Sequence, residues 1–209
     1  DAAEFDRDRE EVLEAARAAG VGGCLVPAVC AENFDAVAAL SASGRSCCHA
    51  LGIHPLYVQR AQEADLELLR TRLAEGAAVA VGEIGLDGFV VNGDLPLQRR
   101  YFEAQLKIAR DFELPMVLHI RRAQDEILKY LRRIAVPGGI AHAFNGSRQQ
   151  AEAFIKLGFR LGFGGTMTFD GSRRIRELAA SLPLSSTVLE TDAPDMPPAW
   201  AGGQRNEPA

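Results

Sequence analysis

Apolar and polar positions along this chain alternate between two periods. Residues 6–19 mix charged and apolar side chains as a half-exposed helix does, and residues 20–29, GVGGCLVPAV, form an apolar run bounded by glycines. The exchange then repeats. A helical stretch over 31–43 leads to CHALGIHP at 48–55, and one over 62–75 leads to AAVAVGEIGLD at 77–87. In residues 97–112 the apolar positions Leu97, Tyr101, Ala104, Ile108 and Phe112 recur at spacings of four, three, four and four, one face of a long helix. PMVLHIR at 115–121, a helix over 124–134 and GGIAHAF at 138–144 follow. Ser147 and Gln150 make a capping box for a helix to Leu157; FRLGFGG, a helix over 173–181 and TVLETDA complete the series.

The strands are near-continuous apolar runs, as parallel strands covered on both faces are, and the repeated unit is β-α. Seven such strands suit an α/β fold of the TIM (β/α)8-barrel type, with its first strand expected before Asp1 and its last helix expected after Ala209. An open doubly wound sheet is the competing arrangement. The polar residues favour the barrel. His54, Glu83, His119, His142 and Asp192 each fall at or near the C-terminal end of a different strand. A barrel brings all such ends to one mouth, whereas an open sheet spreads them along an edge.

Composition narrows the reading further. At 209 residues, 47% hydrophobic and 24% charged, the chain suits a single domain over 1–209. No apolar stretch is long enough to cross a bilayer, and Cys24, Cys30, Cys47 and Cys48 show no CxxC spacing, so a reduced, cytoplasmic protein away from membranes is expected. A net charge of −5 gives no global attraction for nucleic acid; a phosphate would have to be held by metal ions or a local set of arginines. Arg121, Arg122, Arg148, Arg173 and Arg174 lie after strands or at helix starts, where a solvated helix face and a side chain turned to the mouth are both open. Arg121 is the strongest of them, two residues after His119 and on the same strand face.

Imidazoles and carboxylates converging on one mouth are the donor set of a divalent metal, which explains an acid, Glu83, in so apolar a strand. Glu190, two residues before Asp192, is open between ligand, second-sphere acceptor and base. His49 reads as structural. Gly162, Gly164 and Gly165 suit either a phosphate approaching the backbone or, more ordinarily, a tight bend. Phe144 and Phe169 could stack on a base, with core packing the plainer reading.

GIHP at 52–55, VGEIGLD, QRRYFEAQLKIARDFELPMVLHIRRA at 98–123, HAFNGS, LGFRLGFGGTMTF, and LETDAPDMPP followed by RNEPA resemble, in this order, the TatD family of metal-dependent deoxyribonucleases. The resemblance implies a TIM barrel of the amidohydrolase type with two divalent ions, of zinc, manganese or magnesium, at its mouth. Glu83 would be the carboxylate able to bridge them. His119 and His142 would be imidazole ligands, and Asp192 a ligand or the group that orients the attacking water. His54 and Arg121 match positions around the substrate phosphate. The activity implied is removal of nucleotides from a single-stranded DNA end, 3′ to 5′, by a protein expected to be a monomer.

Two other readings stand beside it. The same metal barrel could cleave a small-molecule or aminoacyl ester or amide, since fold does not fix function; no lysine stands at a strand end to favour the amide branch. The HxH pair with which family members open is not in this sequence, which suggests a catalytically impaired binding barrel as the third.

Overall fold

A computed structural model describes residues 1–44, 46–90 and 93–209. Its seven strands are all parallel and follow one another in chain order: β1 (Cys24–Pro27), β2 (Cys47–Leu51), β3 (Ala80–Asp87), β4 (Met116–Arg121), β5 (Gly139–Ala141), β6 (Phe159–Phe163) and β7 (Thr187–Leu189). Each is preceded by a helix: α1 (Arg9–Ala18), α2 (Phe34–Ala42), α3 (Glu63–Ala74), α4 (Leu95–Asp111), α5 (Gln124–Leu131), α6 (Arg148–Lys156) and α7 (Arg173–Ser181). The expected capping box is present at α6, where Ser147 Oγ accepts from Gln150 N–H and Gln150 Oε1 accepts from Ser147 N–H. Among the described residues no helix is long and apolar enough to cross a membrane.

The two faces of the sheet bury different things. Leu51, Val81, Leu118, Ala141 and Leu161 join Leu69, Phe102, Leu106, Ile127 and Phe154 of the helices in the main core. The alternate residues Ala50, Ala80 and Val117, with Leu25, form a small separate cluster on the other face. Small side chains there suit a face folded in on itself. Contacts across the sheet confirm the curl. His142, after β5, reaches Asp192, after β7, at 3.4 Å, and the Asp192 carboxylate acts on His54, after β2. In a flat sheet β2 and β7 would lie about 24 Å apart, at about 4.8 Å per strand. The seven strands therefore curl as a partial barrel, as the strand-end residues led one to expect.

The strands end sooner than their apolar runs. β2 stops at Leu51, β5 at Ala141 and β7 at Leu189, so GIHP, HAF and ETDA lie in the following loops. Ala143 (φ 44°) and Asp192 (φ 61°) adopt left-handed backbone, which ends the extended run and turns the chain across the mouth. At the centre, β3 and β4 make an unusually close approach. Gly85 has φ 155°, and a Cβ there would stand 2.0 Å from the His119 carbonyl oxygen, so only glycine lets these strands pair at the level of the site.

The C-terminal segment is tied to the start of the chain. The Arg205 guanidinium donates to both oxygens of Asp8, at 3.0 and 2.7 Å, and to the Glu4 carbonyl at 2.6 Å, and stacks over Phe5 at 4.5 Å. The hydrogen bond from Arg205 holds the Asp8 carboxyl below its ordinary value of 3.8. A carboxyl so lowered contributes stability above its unfolded value, and that contribution disappears as pH falls through the folded value. The melting temperature of Asp8→Asn is therefore expected to fall below that of the parent at pH 7 and to converge with it toward pH 3.

Candidate active site

Two imidazole-carboxylate pairs face each other at the mouth. In the first, His119 projects inward from β4. Its Nε2 lies 3.0 Å from Asp87 Oδ2 and its Nδ1 3.2 Å from Glu83 Oε1, both acids coming from β3. Asp87 is 1% exposed and also accepts from the Phe89 N–H at 2.9 Å. Burial works against its ionised form, but the hydrogen bonds from His119 and Phe89 outweigh this and hold its carboxyl below the usual range. An ionised Asp87 only accepts, so His119 donates to it from Nε2 and turns Nδ1 toward Glu83; burial opposes a charge on His119, but its hydrogen bonds to the two acids raise its pKa above the ordinary value.

The second pair repeats the arrangement with the ring reversed. His142 Nδ1 lies 2.9 Å from Glu190 Oε2, and the other Glu190 oxygen accepts from the Ala143 N–H at 2.8 Å. That leaves His142 Nε2 facing Asp192 Oδ1 at 3.4 Å. Burial opposes a charge on His142, but hydrogen bonds to Asp192 and Glu190 and the field of Glu83 push it up to about 11. Burial likewise opposes ionisation of Glu83, yet the hydrogen bond from His119 and the fields of His142, His54 and His119 bring its carboxyl down to about 2. Glu83 is therefore a buried carboxylate surrounded by imidazoles.

His54 completes the group. Its Nε2 is 2.9 Å from His119 Nδ1 and 3.7 Å from Glu83 Oε1, and the ring stacks edge-on against His119. Burial holds its pKa down at about 4, so the ring is neutral at physiological pH. The Leu56 N–H donates to His54 Nδ1 at 3.2 Å. A neutral ring accepting on Nδ1 carries its hydrogen on Nε2 and presents a donor to the mouth.

The donor set fits a divalent ion. Ligand atoms bound at about 2.1 Å in a tetrahedral shell lie about 3.4 Å apart. The Glu83–His119 and His142–Asp192 atoms are separated by 3.2 and 3.4 Å. His54, Glu83 and His119 also place one ligand atom each within 4.8 Å of one another. The distances admit His54 as a ligand, while the backbone donor on its Nδ1 favours a proton on Nε2.

All seven residues singled out from the sequence lie at this end of the strands. Arg121 is the last residue of β4, exposed, with its guanidinium 3.9 Å over the Phe89 ring and its charge acting on Asp87. Of the other arginines, Arg122 also lies over Phe89, at 4.5 Å, and Arg174 donates to Asn145 of the HAFNGS loop at 2.5 Å. Arg148 instead pairs with Glu152 and Ser181 on helix surfaces. Phe144 is core, packed edge-on against Phe154, while Phe169, for which core was the plainer reading, is 48% exposed. It directly follows the 3-10 turn Gly165–Thr168, on extended backbone. His49 is buried in β2.

Two of the site glycines make room for a neighbouring residue. A Cβ on Gly162 would stand 1.9 Å from Glu190 Oε2, and one on Gly164 2.8 Å from the Glu190 carbonyl oxygen. β6 is bare here to admit the carboxylate that holds His142. The residue missed by the sequence reading is Asp87. Its signal is present there: a second acid, four residues after Glu83, in a run otherwise made of Val, Ile, Leu and Gly.

Inward imidazoles, each steadied by one carboxylate and facing another, at the mouth of a curled parallel sheet, define a metal-dependent hydrolase barrel. Residues 1–209 match the TatD related DNase family, and the chain belongs to it. It is 44% identical over 207 residues to the protein named uncharacterized metal-dependent hydrolase YjjV of Escherichia coli (strain K12), covering 98% of this chain and 80% of that one. It is 35% identical over 216 residues to the 3'-5' ssDNA/RNA exonuclease TatD of Klebsiella pneumoniae (strain 342), covering 99% and 81%. The crystal structure of YjjV, a TatD homolog from Escherichia coli k12, superposes with a TM-score of 0.95 at 42% identity, over 100% of this chain and 82% of that one.

Proposed function

We propose that this single-domain protein is a divalent-metal-dependent exonuclease that shortens single-stranded DNA from its 3′ end. The observation that carries the reading is the doubled arrangement in which Asp87 fixes His119 and Glu190 fixes His142, leaving each free ring nitrogen opposite a further carboxylate. Metal-ligating histidines are steadied in this way. The 35% identity to a relative named as a 3'-5' ssDNA/RNA exonuclease supports the choice of substrate.

In this reading Glu83, His119, His142 and Asp192 would hold two divalent ions, which would supply Lewis-acid polarisation and a water acidic enough to act as nucleophile at neutral pH. Glu83 remains ionised, and Asp87 and Glu190 keep the two ligand nitrogens turned inward. Asp192, 35% exposed at its side chain, is the carboxylate placed to accept a proton from the attacking water. His54 donates through Nε2 to a non-bridging phosphate oxygen. Arg121, backed by Phe89, adds a positive charge at the rim where the net charge of the protein offers none. Asp87→Asn removes the acceptor that fixes His119, and kcat is expected to fall by roughly 10- to 100-fold with little change in KM.

The test uses a single-stranded oligonucleotide labelled at its 5′ end, with Mn2+ or Mg2+ and with EDTA. A ladder that shortens stepwise from the 3′ end and vanishes with EDTA is the expected result. Hydrolysis of aryl esters with the oligonucleotide left intact would move the substrate to the small-ester class. Metal binding without hydrolysis of any ester would make this a binding barrel.

A further inference from the structure

The ETDAP loop carries Asp192 into the mouth on a backbone that does not hold itself. Asp192 has left-handed φ at 61° and Met196 at 51°, both outside the conformations that such side chains prefer. The main local bonds are the Asp195 N–H to the Asp192 carbonyl at 2.8 Å and the Ala193 N–H to Thr191 Oγ1 at 3.3 Å. Four loop carbonyls around Asp192, those of Thr191, Pro194, Asp195 and Met196, point instead to one residue far along the chain.

That residue is Asn206, whose side-chain amide Nδ2 donates to the carbonyls of Thr191 at 2.6 Å, Asp195 at 2.8 Å and Met196 at 3.2 Å. Its backbone N–H donates to Pro194 at 2.9 Å, and its Oδ1 accepts from the Glu207 N–H at 3.0 Å. Asn206 is 5% exposed, so these carbonyls have no easy exchange for water. Its neighbour Arg205 is anchored to Glu4, Phe5 and Asp8. One end of the loop is thus fixed to β7 and the other to the body of the protein.

We propose that Asn206 is a positioning residue for Asp192: by binding the loop on both sides of the aspartate it sets the carboxylate opposite His142 Nε2. The inference rests on the reading that Asp192 belongs to the hydrolytic site. Asn206 touches neither substrate nor reacting atoms, and acts through the loop alone. A buried primary amide suits the task because its two hydrogens can serve carbonyls on both sides of the aspartate, which a carboxylate or an alkyl chain cannot do.

The test is a double-mutant cycle of Asn206→Ala and Asp192→Asn. It is read on kcat and KM for a 5′-labelled single-stranded oligonucleotide with Mn2+, on Mn2+ affinity by calorimetry, and on melting temperature. Asn206→Ala is expected to lower kcat by roughly 10- to 100-fold and to weaken Mn2+ binding, with KM little changed. The double variant is expected to be no slower than Asp192→Asn alone, because its second change removes an effect already lost. Asn206→Ser, which keeps one donor, should recover part of the loss, and it replaces the alanine variant if that one does not fold. Losses that multiply in the double variant, or a wild-type kcat in Asn206→Ala, would overturn the proposal while leaving Asp192 in the site. A wild-type kcat in Asp192→Asn would overturn both.

Discussion

Glu83→Ala is expected to remove hydrolysis, by on the order of 10³-fold or more in kcat, since a bound ion supplies several kcal/mol of transition-state charge stabilisation. The size follows from the position of this carboxylate. It is the acid that His119, His142 and His54 all face, and their joint field keeps it ionised down to about pH 2 in spite of its burial. Without it, His119 Nδ1 and the charge on His142 lose their common partner. Asp87 and Glu190 are already engaged on the far sides of the two rings. Glu83→Gln is the stricter control: it keeps the volume and some hydrogen bonding but cannot ligate as an anion, so it should retain the fold and still lose activity. Circular dichroism and steady-state kinetics on the two variants check both statements.

Gly162→Ala is expected to disturb the site through a single added methyl group. The added Cβ would lie 1.9 Å from Glu190 Oε2 and 2.6 Å from its Cδ, so the carboxylate must leave its place. His142 then loses the acceptor on Nδ1, and Ala143 loses the acceptor for its N–H. Overpacking of this kind costs roughly 1–3 kcal/mol. Loss of the group orienting a ligand histidine adds roughly 10- to 100-fold in activity. The mechanism has a direct check. Glu190→Gln in the Gly162→Ala background should add little further loss, because the methyl group has already displaced that side chain. Melting curves and kcat for the single and double variants decide it.

Much of this site is legible in the amino-acid sequence. The identities of His54, Glu83, His119, His142 and Asp192 follow from one regularity, a polar residue at or near the end of five of the seven apolar strands. The curled sheet gathers those ends as a barrel does. Pairing is what the sequence conceals. Nothing in the spacing tells which carboxylate meets which ring nitrogen, because those contacts join residues about 30 to 50 positions apart in sequence. Asp87 escapes notice for that reason, and the role of Glu190 is decided only by where its two oxygens lie. The glycines of β6 are ambiguous for a related cause: a bare backbone looks alike whether it admits a phosphate, a bend or a neighbouring carboxylate. Strand ends are overrun because apolar loops such as GIHP continue the pattern of the strand, while the left-handed turns at Ala143 and Asp192 use residues with no strong preference for that backbone.

We infer that the two steadied imidazoles and the carboxylates facing them hold divalent ions with which the protein cleaves DNA. The most direct measurement takes folded wild type and Glu83→Ala, each equilibrated with Mn2+. It reads bound metal per chain by mass spectrometry and shortening of 5′-labelled single-stranded DNA in the same samples. Metal and cleavage together in the wild type, with both lost or sharply reduced in Glu83→Ala, is the expected outcome. A Glu83→Ala protein that keeps its metal and cuts DNA at the wild-type rate would contradict it.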